Sequence, residues 1–136
     1  MYHHLQHAPN YKPFFQTQYT LNQRINLFNH LSIVHPDKIP VVLERALIAD
    51  LTLPYLRKYK LLLPIDSTMR YLKQYVIRLM KRQKTALDPK KTLFLFMDSV
   101  IYPATTLVSE VYSKHRNLND NFLYITYCHE NTFGNK

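Results

Sequence analysis

The chain has 136 residues, 46% of them hydrophobic and 13% aromatic, and its 18 Lys and Arg outnumber nine Asp and Glu to give a net charge of +9. This length fits one domain with one core, and the apolar content excludes an intrinsically disordered chain. No apolar run is long enough for a membrane span or a secretory signal, so we expect a soluble, cytoplasmic protein whose positive charge suits an anionic partner.

The N-terminal part of the chain is predicted to be an irregular arm followed by a helix. Residues 1–13 contain three His and two Pro without apolar periodicity. Thr20 and Gln23 then have the spacing of a capping box, and apolar residues recur at helical spacing behind them. The helix should run to about Val34, because the residue before Pro36 is disfavoured in the α region.

Four apolar runs predict strands. "KIPVVLER" is the first and "KYKLLLP" the second, and lysines 58 and 60 indicate that the second lies at an edge of the sheet, where charge discourages unwanted pairing. "KKTLFLFMD" is apolar on both faces, which predicts a central, doubly buried strand, and "NFLYITYC" predicts another.

Two further helices are predicted between these strands. One should begin at a cap on Asp66 or Ser67 and continue to about Arg82, and the other should cover Thr105 to Arg116. The resulting order is helix, strand, strand, helix, strand, helix, strand. It predicts an α+β protein of the β-grasp, ubiquitin-like type, with a four-stranded mixed sheet and an added N-terminal helical arm.

The chemistry-bearing residues favour a binding protein over an enzyme. No pair of carboxylates has catalytic spacing, and a chain with one glycine cannot build a glycine-rich phosphate loop. Cys128 and His129 are neighbours on a predicted strand and should point to opposite faces, which disfavours a nucleophile and base pair. We therefore expect no catalytic residue, no metal site and no cofactor.

The only glycine, Gly134, lies in the terminal stretch "ENTFGNK". A frayed end is the simpler interpretation. The alternative is a site of processing and acyl transfer, because a residue without Cβ leaves its carbonyl open to attack.

Five motifs carry a family resemblance. "HPDKIPVVLER", "YKLLLP", "KTLFLFMD", "VIYPATTLVSEVY" and "NFLYITYCHENTFG" follow one another in this order. From about residue 14 to 134 the chain closely resembles the GABARAP-like autophagy modifiers, the Atg-eight family of ubiquitin-like proteins. The resemblance implies a ubiquitin-like domain over 14–130 and a flexible tail over 131–136.

The same resemblance implies a chemical fate for the tail. A processing cysteine protease would cut after Gly134, which follows Phe133, and would remove Asn135 and Lys136. Ubiquitin-like activating and conjugating enzymes would then join Gly134 to phosphatidylethanolamine on autophagosomal membranes. The protein would be cytoplasmic before conjugation and membrane-bound after it.

The resemblance also implies a groove that binds cargo receptors through aromatic-x-x-aliphatic motifs. Its first pocket, for the aromatic residue, would be built by Leu31, Pro40, Lys60, Leu62 and Phe122. Its second pocket, for the aliphatic residue, would be built by Leu61, Leu63, Pro64, Leu72, Tyr75 and Val76. Lys58 would add a basic flank that favours acidic residues before the aromatic.

Two other functions remain open at this point, and the chain departs from the family at a few positions. The same groove could serve a peptide-binding adaptor that is never conjugated. A basic nucleic-acid-binding module is the third hypothesis, although the aromatic residues fit a core better than a stacking surface, so no nucleic-acid partner is expected. Leu79 stands where the family usually has an arginine used in protease recognition, the segment from Arg82 to Lys90 is longer than usual, and Asn121 replaces a glycine or an aromatic.

Overall fold

The computed structural model describes residues 14–46, 53, 55–83 and 91–131. Within them the chain forms, in order, α1 (Phe14–Gln18), α2 (Leu21–Val34), β1 (Lys38–Arg45), β2 (Lys60–Pro64), α3 (Met69–Arg82), β3 (Lys91–Phe96), α4 (Val108–His115) and β4 (Leu123–Asn131). The arm predicted over 1–13 and the four tail residues Phe133, Gly134, Asn135 and Lys136 lie outside the described residues. In the described part of the chain, no helix is long and apolar enough to cross a bilayer.

The four strands form one mixed sheet in the order β2-β1-β4-β3. The first and last strands pair in parallel at its centre, with Val41 opposite Leu123 and Arg45 opposite Tyr127. β2 is antiparallel to β1, and β3 is antiparallel to β4. This arrangement confirms the predicted β-grasp fold.

β2 lies at an edge of the sheet, as its lysines predicted, but the prediction of a central position for β3 is wrong. The strand is apolar on both faces because each face is covered, not because it has a neighbour on each side. Leu93 and Leu95 join the main core, whereas Phe94 and Phe96 pack on the other face with Cys128. The apolar run therefore indicated that both faces of the strand are covered, but it gave no information on the number of neighbouring strands.

Helix α1 did not appear among the sequence-based predictions. Its first backbone N–H groups, of Phe14 and Phe15, donate to the two carboxylate oxygens of Glu44 over 2.9 and 3.2 Å. Burial raises the pKa of Glu44, and the two N–H donors act in the opposite direction. The carboxylate that caps this helix comes from β1, 30 positions along the chain, so no local motif announces the helix.

The caps of the two long helices differ in how well the sequence predicted them. Thr20 and Gln23 form the expected capping box of α2, because each side chain bonds to the other residue's backbone. For α3 the prediction of Asp66 or Ser67 is wrong. The hydroxyl oxygen of Thr68 accepts from the backbone N–H of Tyr71, while Ser67 Oγ donates to the carbonyl of Pro64 and so belongs to the turn after β2.

The main core lies between the sheet and helices α3 and α4. Residues from all four strands and both helices contribute, and the fully buried members include Val41, Leu63, Leu72, Val76, Val108 and Ile125. A second, aromatic cluster lies on the other face of the sheet, under the N-terminal helices, where the Phe15 and Phe122 rings pack with their centroids 5.1 Å apart. The N-terminal helices are thus packed on the sheet by apolar contacts.

A buried carboxylate connects helix α2 to the start of β4. Asp120 Oδ2 accepts from Arg24 Nη1 and from the Tyr124 hydroxyl, both at 2.6 Å, and Asp120 Oδ1 accepts from the backbone N–H of Phe122 at 3.0 Å. The Asp120 side chain is fully buried. Three donors on one buried carboxylate offset the cost of removing its charge from water.

Replacing Asp120 by Ala should therefore lower the free energy of unfolding by about 3 kcal/mol, because it leaves the Arg24 guanidinium and a buried N–H without their acceptor. Urea unfolding measures this directly. Glu110→Ala is the control, since it removes an exposed ion pair with Lys114 at 3.3 Å and should cost about 0.5 kcal/mol or less. Equal, small losses in both variants would contradict the anchoring role of Asp120.

A buried tyrosine gives the fold a dependence on alkaline pH. Burial raises the pKa of Tyr127 from 10.0 to about 12, although the N–H of Leu56, which donates to the Tyr127 hydroxyl, opposes the shift. The unfolded chain releases this proton near pH 10 while the folded chain retains it.

We expect the free energy of unfolding to fall as pH rises from 10 towards 12, with about 2 to 3 kcal/mol of the loss due to Tyr127. Tyr127→Phe should remove this part of the slope, and Tyr55→Phe, at a residue 73% exposed, should leave it unchanged. Urea unfolding on both sides of pH 10 provides the measurement. A slope that Tyr127→Phe does not reduce would show that the phenol is not the group responsible.

Candidate functional site

The outer edge of β2 is one of the two edges of the sheet, with β3 at the other. Among the described residues, β2 pairs with β1 and has no strand on its other side. An edge strand presents backbone N–H and C=O groups to which an extended segment can add as a further strand. The lysines at 58 and 60 are exposed beside it, which limits pairing with an uncharged strand.

A cavity of about 200 Å³ opens between α2 and β2. It is lined by Leu27, Leu31, Val41, Lys60, Leu61, Leu62 and Phe122. Four of the five residues predicted for the first pocket are in this set: Leu31, Lys60, Leu62 and Phe122. The ring of Phe122 is almost fully buried and packs edge-to-face on Phe28, so the cavity has a rigid aromatic wall.

Pro40, the fifth predicted residue, lies opposite Leu62 in the register of β1 and β2. It lines a neighbouring cavity of about 380 Å³, which also involves Phe28, Ile39, Ile65 and Tyr112. Phe28 borders this cavity and also packs against Phe122 of the first one. The structure therefore places Pro40 beside the first pocket and brings the other four residues together.

Two lysine ammonium groups lie on tyrosine rings along β2. Lys60 Nζ is 5.2 Å from the centroid of the Tyr19 ring and 5.8 Å from that of Tyr59. Lys58 Nζ donates to the Tyr75 hydroxyl over 3.2 Å. These contacts fix two positive charges at the mouth of the groove, where they favour an acidic segment.

The residues predicted for the second pocket lie on the α3 side of the sheet. Leu61, Leu63, Leu72 and Val76 belong to the main core, and the last three are fully buried. Tyr75 is partly buried and packs against this core, and Pro64, the last residue of β2, is half-buried. An aliphatic side chain would reach the core residues only if neighbouring side chains shifted.

Sequence reasoning missed Leu27 as a wall of the first cavity. Leu27 precedes Leu31 by one helical turn, so the two side chains lie on the same face of α2. That spacing was visible in the sequence, and extending the pocket by one turn of the helix would have found the residue. Val41 was also missed, since it lies on a strand whose residues are buried on both faces.

With this geometry in view, comparison with known proteins identifies the family. The family model described as "Autophagy protein Atg8 ubiquitin like" matches residues 23–134. The chain belongs to the Atg8 family. It is 36% identical to Autophagy-related protein 8 of Candida glabrata over 123 residues, which cover 90% of this chain and 98% of that protein.

Other relatives agree with this membership. The chain is 37% identical to Autophagy-related protein 8B of Oryza sativa subsp. indica over 123 residues, which cover 90% of this chain and 97% of that protein. The crystal structure of Trypanosoma brucei ATG8 superposes with a TM-score of 0.74 and 28% identity, covering 91% of this chain and all of that one. The chain is thus an autophagy protein of the ubiquitin-like Atg8 family.

Two departures of this Atg8-family protein have structural counterparts. Leu79 is buried in the main core, so no polar group at that position is exposed to a protease. Asn121 has a φ of 67°, in the left-handed region where Gly and Asn are favoured. Its carbonyl accepts from the Tyr112 hydroxyl at 2.7 Å and its side-chain oxygen from Arg116, which holds this conformation in place.

Proposed function

We propose that this Atg8-family protein is trimmed after Gly134, conjugated through that residue to phosphatidylethanolamine on autophagic membranes, and used there to recruit cargo receptors. The family match ends at residue 134, the position of the only glycine, which supports the choice of Gly134 as the junction. A processing cysteine protease and ubiquitin-like activating and conjugating enzymes are the partners that this proposal requires.

The observation that carries the recruitment half of the proposal is an edge strand with a cavity beside it. A partner segment that adds to β2 gains backbone hydrogen bonds that do not depend on its sequence. The cavity lined by Leu31, Leu62 and Phe122 then selects the side chain that the segment places there. Burial in an open, mostly apolar cavity with one aromatic wall favours a large apolar residue, and an aromatic one in particular.

The spacing of three residues between the two anchors is compatible with pockets on opposite faces of the sheet. Successive side chains on β2 point to opposite faces, with Leu62 on the α2 side and Leu63 on the α3 side. Residues of an added strand that are three positions apart also point to opposite faces. An aromatic residue in the α2-side pocket would therefore be followed by an aliphatic residue on the α3 side, the side of Tyr75.

Truncating Leu62 to Ala should weaken binding of an acidic aromatic-x-x-aliphatic peptide by about 1–2 kcal/mol, because part of the pocket wall is lost. Lys60→Glu should weaken it further, since it repels the acidic flank, and its effect should shrink as salt increases. Calorimetric titration gives both affinities.

The controls for this titration are Leu118→Ala and Lys114→Glu, at exposed positions away from β2. Both control variants should bind like the unmodified chain. Unchanged affinity in folded Leu62→Ala and Lys60→Glu would place the groove elsewhere and refute the residue assignment.

Gly134→Ala should block trimming or conjugation without changing the melting temperature, because residue 134 follows the last strand. The added Cβ hinders attack on the carbonyl at the junction. Mass spectrometry of the protein recovered from cells, or of a reconstituted conjugation reaction, detects lipid on the C-terminal residue. Asn135→Ala is the matched control and should still be processed.

Efficient lipidation of the Gly134→Ala variant would remove the main support for the proposal that the protein is conjugated through Gly134. An intact Lys136 in cells, together with normal peptide binding, would favour the adaptor that is never conjugated.

A further inference from the structure

The sheet has one end at which the C-terminal tail leaves the domain. β4 ends there with Asn131 opposite Lys91, the first residue of β3, and β1 ends nearby with Arg45 opposite Tyr127. Helix α3 ends there as well. The side chain of Gln83 accepts from the backbone N–H of Arg57 over 2.8 Å and donates to the carbonyl of Tyr55 over 3.0 Å.

Basic residues from four parts of the chain, which are β1, the loop before β2, α3 and β3, converge on this end, which we call the tail end. It consists of Arg45, Arg57, Lys81, Arg82 and Lys91. Arg57, Lys81 and Arg82 are exposed, and the other two are half-exposed. Arg45 is held in place because its Nε donates to the carbonyl of Leu53 over 2.9 Å.

Three exposed carboxylates lie towards the opposite end. Asp37 precedes β1, Asp66 follows β2 and Asp98 follows β3. The start of β1 and the ends of β2 and β3 all lie at the end of the sheet opposite the tail end. Two glutamates, Glu44 and Glu130, belong to strands that end near the tail end. Glu44 is buried and accepts from two backbone N–H groups, so it is not part of the surface charge. The basic excess is thus concentrated where the chain leaves the sheet.

The stretches that connect elements at the tail end do not cancel this excess. Residues 84–90 contain Lys84, Lys90 and Asp88, and residues 47–52 contain Asp50, so together they add no net charge. Residues 132–134 are Thr, Phe and Gly and are uncharged.

Helix stability explains only part of the pattern. Lys81 and Arg82 lie in the last turn of α3, where positive charge interacts favourably with the helix dipole. Arg57 lies in the loop before β2 and Lys91 begins β3, so the dipole of α3 does not explain their positions. A surface role for the whole set explains all of the residues together.

We propose that the tail end docks on the anionic phospholipid headgroups of a bilayer. Gly134 is three positions after Asn131 in the sequence, so the chain between them spans at most about 11 Å. Electrostatic attraction in physiological salt extends over about 8 Å. A lipid on Gly134 would therefore hold this end of the sheet within reach of the membrane charge.

This inference rests on the proposed conjugation for its anchor and on the described residues for its charge. The tether is what favours a bilayer over an acidic peptide or a nucleic acid, because it brings the tail end to the membrane whatever else the protein binds. Docking would add an electrostatic contribution to that of the single lipid anchor.

The test uses the full chain without conjugation, sedimented with vesicles of phosphatidylcholine alone or with phosphatidylserine added. Binding should require phosphatidylserine and fall as salt increases. Lys81→Glu with Arg82→Glu should weaken it about tenfold or more, since each basic residue near an anionic surface contributes about fivefold. Arg57→Glu, outside the helix, should weaken it in the same direction.

The matched control is Arg70→Glu with Lys73→Glu, which makes the same change of charge in the first turns of the same helix. It should weaken vesicle binding much less than the tail-end pair does. Circular dichroism and melting verify that each variant is folded.

Equal losses in the two pairs would overturn the inference, because net charge alone would then explain binding. Absence of phosphatidylserine-dependent binding would overturn it as well, and so would tighter binding of an acidic peptide or an oligonucleotide to Arg57, Lys81 and Arg82.

A reconstituted conjugation reaction on Gly134 separates this result from the proposed function. Failed conjugation with intact vesicle binding refutes the proposed function, whereas conjugation without phosphatidylserine-dependent binding refutes the docking surface.

Discussion

The carboxylate of Asp120 fixes the relation between the N-terminal helices and the sheet, and the cavity beside β2 depends on that relation. Arg24, which donates to it, lies on the helix that supplies Leu27 and Leu31 to the cavity. Phe122, whose N–H also donates to it, supplies the aromatic wall. One buried group therefore positions both sides of the pocket, and its hydrogen bonds must all be made because an unpaired carboxylate in that environment is costly.

The parallel pairing of β1 and β4 determines which surfaces of the sheet remain for partners. Because the first and last strands occupy the centre, β2 and β3 become the two edges. The same pairing ends β4 at one end of the sheet, beyond Tyr127 and next to the start of β3. An edge for strand addition and an end for the tail are thus consequences of one topology.

Local patterns predicted most of the helices and strands, and the errors arose where the deciding contact was distant in sequence. The capping box of Thr20 and the apolar periodicities of α2, β1 and α3 are properties of neighbouring residues, and the structure agrees with them. Helix α1 depends on Glu44, and the edge position of β3 depends on how the sheet is ordered. Neither is encoded within a short window of sequence.

The candidate site was predictable to a similar extent. The family resemblance brought together Leu31, Lys60, Leu62 and Phe122, which come from three separate parts of the chain. Residue types alone would have assigned the three apolar residues to the core, since burial and pocket lining use the same side chains. Their role as pocket walls depends on a space between α2 and β2, which only the folded structure contains.

The groove and the tail end lie on different parts of the domain, and this separation has a functional consequence. The groove runs along β2, from Lys60 to Pro64, whereas the tail leaves beyond Asn131 at the far end of another strand. Under the proposed conjugation, a short tether on Gly134 would restrain the end of the sheet and leave the length of β2 accessible from the side. A domain held in this way would bind a partner segment along its edge without releasing the membrane, because the two contacts would use different backbone groups and different charges.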